Sequence, residues 1–195
     1  MKLPLLPLLA LLPGCAMNAV EAPAAPAYVN EAPLPAGWPQ PGPYDQVSVK
    51  SYPAYRAAFT RNSWQSFGFW TLFAHIQRQH IPMTAPVELS MKKSGDQMEM
   101  SAMAFLYRDG KVGALGADGK RVDVRDVPAS KALSYTWQGP DSKANVAKAR
   151  TAVEAALTER KLTAKAFRLL GYNGPGTPRA KRTWELQALL EDKKG

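Results

Sequence analysis

Between Phe69 and Val87 the chain reads Phe-Trp-Thr-Leu-Phe-Ala-His-Ile-Gln-Arg-Gln-His-Ile-Pro-Met-Thr-Ala-Pro-Val, and this run restricts the fold more than any other. Apolar residues recur at helical spacing, which predicts a helix over residues 64–80. Pro82 and Pro86 then forbid its continuation: proline has no N–H to donate, and it biases the residue before it toward extended backbone. The chain must leave a helix and begin a strand within a few residues. At about 100° per residue Phe69, Leu72, Phe73 and Ile76 share a face, while Phe67, Trp70 and Ala74 widen the apolar arc beyond what one sheet covers. Part of this helix is therefore expected to face a ligand. Both histidines of the chain, His75 and His80, lie in the same run.

Elsewhere, residues 46–51, 54–60, 84–91, 97–108, 121–127, 132–138, 166–172 and 183–190 read as strands, and residues 141–161 as a second helix. The order is β-β-α-β-β, twice, as a repeat of pattern without residue identity between the halves. Such a chain is expected to be α+β: duplicated units forming a curved antiparallel sheet or distorted β-barrel, flanked by two helices. In the second helix Asp141 and Ser142 are N-cap candidates, and Val146, Ala149, Val153, Ala156 and Leu157 fall on one face. That helix is expected to be purely structural.

A chain of 195 residues with 46% hydrophobic composition supports one well-buried domain. The formal charge of +9 favours anionic partners, but the basic residues are scattered and no nucleic-acid-binding motif accompanies them, so nucleic acid is not an expected partner. The single cysteine bears on the compartment. Met1-Lys2 and the apolar run 3–12 have signal-peptide form and are too short to span a bilayer, and Leu12-Pro13-Gly14-Cys15 resembles a bacterial lipobox. The expectation is a signal peptide over residues 1–14, a lipidated Cys15, and a solvated tether of Pro and Ala over residues 15–43. Trp38 interrupts the tether as a residue suited to folding back. The domain then spans residues 44–192, held to a membrane of the bacterial cell envelope, periplasm-facing, with the oligomeric state open.

The Ile-Pro-Met-Thr-Ala-Pro-Val run, preceded by Phe-Trp-x-Leu-Phe-x-x-Ile-Gln, resembles the signature of the SOUL family of haem-binding proteins. Tyr52-Pro53-Ala54-Tyr55-Arg56 resembles that family's early strand pair, and residues 171–178 with Lys181-Arg182 resemble its later Gly-Tyr and Arg-Arg segments, so the likeness runs from about residue 44 to 190. One departure stands out. The family's Asn-Glu pair is replaced here by Thr183-Trp184-Glu185, which turns the acid to the other face of a strand.

The resemblance implies non-covalent binding of haem or another tetrapyrrole, for carriage, buffering or sensing. A flat tetrapyrrole needs an apolar, ring-lined slot with cations near its propionates. Phe69, Trp70, Phe73 and Met83 are the candidates to line it, Arg78 and Arg182 the candidate cations, and His80 and His75 the candidate iron ligands. His80 projects with Phe69, Phe73 and Ile76 on the wheel, and His75 lies on the more polar side with Gly68, Thr71 and Arg78. Met98 and Met100 are expected on one face of their strand and Met103 on the other. Two rival readings stay open: an envelope module that binds a peptide or lipid, and a small-molecule hydrolase on the same scaffold. No nucleophile elbow, zinc-protease or phosphate-loop motif is present, and a hydrolase would need Glu88, Glu99 or Glu185 buried beside its ligand.

Overall fold

The computed structural model describes residues 25–61, 65–95 and 97–191; the expected signal peptide, Cys15 and Trp64 lie outside the described residues. Its elements run β1 (Val47–Tyr52), β2 (Tyr55–Thr60), α1 (Gln65–Arg78), β3 (Val87–Ser94), β4 (Gln97–Leu106), β5 (Gly116–Asp118), β6 (Val122–Val127), β7 (Ser130–Gln138), α2 (Lys143–Glu159), β8 (Ala164–Gly171) and β9 (Thr183–Leu190). The fold is α+β, as the pattern implies. All eight expected strands form, and β5 adds a ninth.

The strands make one antiparallel sheet in the order β1-β7-β9-β8-β3-β4-β2-β6-β5. With β5 set aside, this order is symmetric about the β8–β3 pair. Each half contributes three adjacent strands (β3-β4-β2 and β8-β9-β7) and sends its first strand across to the other half, β1 onto β7 and β6 onto β2. The duplication is therefore a property of topology, and it interlocks the halves into one domain. β1 and β5 are left as edges, so the sheet stays open and does not close into a barrel.

Alternation along the strands separates two faces. Leu133, Tyr135, Trp137, Phe167, Leu169, Leu186 and Ala188 point outward and meet Ala149, Val153, Ala156 and Leu157 of α2. On the same outer face Ala58, Phe105, Val122 and Val124 meet Leu72 and Ile76 of α1. Both helices thus lie on one side. α2 starts as its sequence indicates, with Ser142 Oγ accepting from the Asn145 N–H at 3.2 Å. α1 ends in a Schellman turn: the His80 N–H donates to the Gln77 carbonyl at 3.2 Å and the Ile81 N–H to the Ile76 carbonyl at 2.9 Å. That turn needs a left-handed residue, and His80 supplies it at φ 53°.

The inner face is covered by the segment expected to be a free tether. From Ala27 onward the chain is strapped across the sheet: Gln138 Nε2 donates to the Ala27 carbonyl, Asn173 Nδ2 to the Val29 carbonyl, the Ala85 N–H to Pro33 and the Ala36 N–H to Arg108. Glu31 accepts from the Gly174 N–H at 2.6 Å and from the Thr177 hydroxyl. Trp38, 6% exposed, packs with Tyr52, Tyr55, Leu106, Leu170 and Tyr172. A stretch of Pro and Ala has little to bury, but Tyr28, Leu34 and Trp38 at intervals give it three apolar anchors. Residues 27–38 therefore pack as part of the domain, and the rest of the expected tether up to residue 24 lies outside the described residues.

A bulge revises one further expectation. β3 and β4 pair Leu89 with Met103 and Met91 with Met100, with a register shift between Ser90 and Met91. The extra residue returns Met98, Met100 and Met103 to a common face, where unbroken alternation would have separated them.

Candidate functional site

α1 buries Gly68, Leu72, His75 and Ile76 and leaves a second apolar stripe uncovered. Phe69 and Phe73 are half-buried between the two, and Phe69 meets Phe105 edge-on at 5.1 Å. Phe67 and Trp70 remain 62% and 64% exposed. Trp70 is oriented by edge contacts to Phe69 at 5.4 Å and Phe73 at 6.0 Å, so its ring is presented in a fixed attitude.

Facing that stripe is the β5–β6 hairpin, and between them lies an open cleft of about 450 Å³. The helix contributes Phe67, Trp70, Thr71, Ala74 and Arg78, which span about 100° of the helical wheel. The hairpin contributes Asp118, Gly119, Lys120, Arg121 and Val122. Rings therefore stand on one wall and cations on the other and at one end.

Asp118 fixes the distance between the walls. Its Oδ2 accepts from Arg78 Nη2 at 2.6 Å and lies 2.5 Å from His75 Nδ1. His75 Nε2 in turn lies 2.6 Å from the Tyr107 hydroxyl. The geometry suits Nδ1–H donating to the carboxylate and the tyrosine donating to Nε2. The His75 hydrogen bond, reinforced by Arg78, holds the Asp118 carboxyl below its ordinary range. Burial, together with the Asp118 charge, pushes the Tyr107 hydroxyl up to about 12.

A second set of charges lies under the strap. Arg168, 1% exposed, donates to Glu88 at 3.0 Å, Gln187 at 2.7 Å and Tyr55 at 2.8 Å. Its guanidinium faces the rings of Tyr52, Trp38 and Tyr55 at 4.9, 5.3 and 5.7 Å. Glu185 is fully buried and accepts from Lys50, Tyr52 and Tyr172. Burial, with the Glu185 charge beside them, raises both Tyr52 and Tyr172 well above the ordinary tyrosine range. Each acid has its cation, Glu88 with Arg168 and Glu185 with Lys50, so the charges of this inner set are paired.

The sequence candidates distribute unevenly over these sites. Trp70 and Arg78 line the cleft; Phe69 and Phe73 support the Trp70 ring from behind. Met83 is half-buried against the core beneath α1. Arg182 lies away from the cleft, donating to the Thr177 and Pro175 carbonyls, where it pins the loop that holds Glu31. His75 is 2% exposed with both ring nitrogens engaged, which removes it as an iron ligand in this arrangement. His80 is exposed at the helix end and is not among the residues lining the cleft. Among the described residues no three or more His, Cys, Asp or Glu side chains are grouped to hold a metal ion. Glu99 is exposed, and Glu88 and Glu185 are buried beneath the strap and not beside the cleft.

Lys120, Arg121 and Asp118 escaped sequence reasoning. The available signal was the Asp118-Gly119 dipeptide, a hairpin turn marker, with Gly119 at φ 65°. Fold and cleft define the class: a duplicated α+β domain presenting exposed rings and cations in one open cleft. The chain belongs to the SOUL heme-binding protein family, whose model matches residues 39–188. No curated protein matches the sequence. Among solved structures it is similar to the EcmrR C-terminal domain, at 16% identity over 75% of this chain and 97% of that one, with a TM-score of 0.55. It is also similar to a hydrolase from Listeria innocua, at 10% identity over 77% of this chain and 94% of that one, with a TM-score of 0.53. At these identities the likeness is one of fold alone.

Proposed function

We propose that the protein is a lipid-anchored carrier, buffer or sensor of haem or a related tetrapyrrole in the bacterial cell envelope, and that its ligand lies in the cleft between α1 and the β5–β6 hairpin. Family membership supports the ligand class, and the observation that carries the site is the exposure of Phe67 and Trp70 opposite Arg78, Lys120 and Arg121. A haem brings a flat apolar ring and two carboxylates. Its ring matches the wall made by Phe67 and Trp70, and its carboxylates match Lys120 and Arg121. The cleft volume of about 450 Å³ lies within the range of small-molecule sites.

The fit stops short of the iron. Among the described residues the lining includes no His, Cys, Met or Tyr, so on this proposal the ring is bound by stacking, burial and charge and not by axial ligation. Each Å² of ring removed from water contributes about 25 cal/mol, which makes the apolar wall the dominant source of affinity. Arg78 is already committed to Asp118, leaving the two hairpin cations as the partners for the carboxylates.

Anchoring belongs to the same proposal: cleavage before Cys15 and its acylation would tie the domain to a membrane through the segment ahead of the strap. Among the described residues no helix is long and apolar enough to cross a bilayer.

Hemin titrated into the protein should give a saturable, shifted Soret band and quench tryptophan fluorescence. Trp70→Ala should weaken binding about tenfold, through loss of about 1.5 kcal/mol of stacking and burial, while His80→Ala should leave it unchanged. An unshifted band at micromolar protein, or affinity indifferent to Trp70, overturns the proposal.

A further inference from the structure

The outer face carries a feature that the cleft does not use. α1 packs on β2, β4 and β6, and α2 packs on β1, β7, β9 and β4, so a strip of sheet over β3 runs between the helices. Its rows are Leu89 beside Met103, Met91 beside Met100 and Lys93 beside Met98. The β3–β4 bulge brings the methionines to this one face, and all four of them are partly exposed. Met103 sits close beneath α1: a Cβ on Gly68 would lie 3.7 Å from its Cβ and 3.8 Å from its sulfur. Met91 is flanked across β8 by Phe167.

Directly paired residues on adjacent antiparallel strands have Cβ atoms about 5 Å apart, and diagonal neighbours about 7–8 Å. A methionine side chain has three rotatable bonds beyond its backbone, so the Met91 and Met100 sulfurs can converge on one point, with Met98 or Met103 reaching in from a diagonal row. Leucine or valine would fill such a strip equally well and with less freedom; four thioethers supply something aliphatic residues lack, a soft donor. Beside the strip Lys93 and Arg150 share one acid, Glu154, at 2.6 and 3.1 Å, and Lys92 with its partner Glu99 lies on the opposite face of β3.

We propose that Met91 and Met100, with Met98 or Met103, form a thioether site for a soft monovalent metal ion of the copper(I) type. Thioether sulfur selects such an ion over zinc, calcium or magnesium, which take imidazole, thiolate or oxygen donors. A thioether also has no proton to lose in this range, so binding at this site is independent of pH, unlike binding by histidine, cysteine or carboxylate. The proposal stands apart from the cleft and its tetrapyrrole.

Silver(I), a redox-inert stand-in for copper(I), tests it in the full chain carrying Cys15→Ser, which removes the one competing thiol. Followed through the methionine methyl resonances, silver should saturate at one ion per chain and shift Met91, Met100 and one of Met98 and Met103. Met91→Leu and Met100→Leu conserve volume and should leave the circular dichroism unchanged. Each should weaken binding about tenfold or more, the size of effect typical for lost metal-site groups. Met83→Leu should not weaken it, and the affinity should be the same in mildly acidic and neutral buffer. Equal shifts at every methionine without saturation, affinity unaffected by both leucine variants, or affinity that collapses in acid would each overturn the site.

Discussion

The two histidines show how far a side chain's role is decided by its neighbours. Wheel position places His80 beside the aromatic residues, yet at φ 53° it occupies the left-handed residue of a Schellman turn and stands exposed. His80→Gly should therefore raise the melting midpoint, since a left-handed conformation costs a residue with a Cβ about 1 kcal/mol that glycine avoids; a lowered midpoint would mean the imidazole makes a contact that outweighs that strain. His75, on the face read as polar, is instead buried because Asp118 and Tyr107 satisfy both of its nitrogens. No wheel could reveal this, since the partners come from β5 and from the residue that follows β4. Asp118 carries a pH signature. Its folded carboxyl titrates below the unfolded one, so its stabilisation is fully present above the unfolded value of about 4 and is lost as pH falls through the depressed folded value. Asp118→Asn should accordingly be less stable than the parent at neutral pH, and urea midpoints of the two should converge in acid. A difference that persists unchanged in acid would contradict the assigned hydrogen bonds.

Among the elements, those with strong periodicity were legible, and those held by tertiary contact were not. Both helices and eight strands follow from apolar spacing, prolines and caps. β5 has three residues, two of them exposed, and exists because β6 pairs with it; nothing in Gly116-Ala117-Asp118 demands a strand. The strap is the larger surprise. Its composition is that of a free linker, and only the spacing of Tyr28, Leu34 and Trp38 distinguishes it from one. Trp38 is nearly buried, meets Tyr52 at 4.8 Å and Tyr55 at 5.2 Å, and donates to the Tyr172 hydroxyl at 3.4 Å. Trp38→Ala should cost about 3–5 kcal/mol, the usual range for emptying a core of a large ring, read by chemical denaturation. A loss below about 1 kcal/mol would return the segment to the status of a loose tether.

Across the whole molecule, a quasi-symmetric sheet uses its two faces differently. The inner face is covered by the strap, beneath which Arg168, Glu88, Glu185 and their tyrosines form a buried hydrogen-bonded set. The outer face carries both helices, and only the first has more apolar surface than the sheet can cover. The Pro-bracketed run after α1 marked the family from sequence, but the cleft needed the fold, because its cationic wall comes from a hairpin some forty residues downstream of the helix face it opposes. On our proposal this cleft grips a tetrapyrrole by its ring and its carboxylates and leaves the iron unligated by the protein. The decisive quantities are the dissociation constants of hemin and of metal-free protoporphyrin, measured side by side on the parent and on Phe67→Ala/Trp70→Ala. The two pigments should bind the parent within about threefold of each other, a difference under 1 kcal/mol, and both should be weakened together in the variant. Tight hemin binding that disappears with the iron, or that survives loss of both rings, would contradict it.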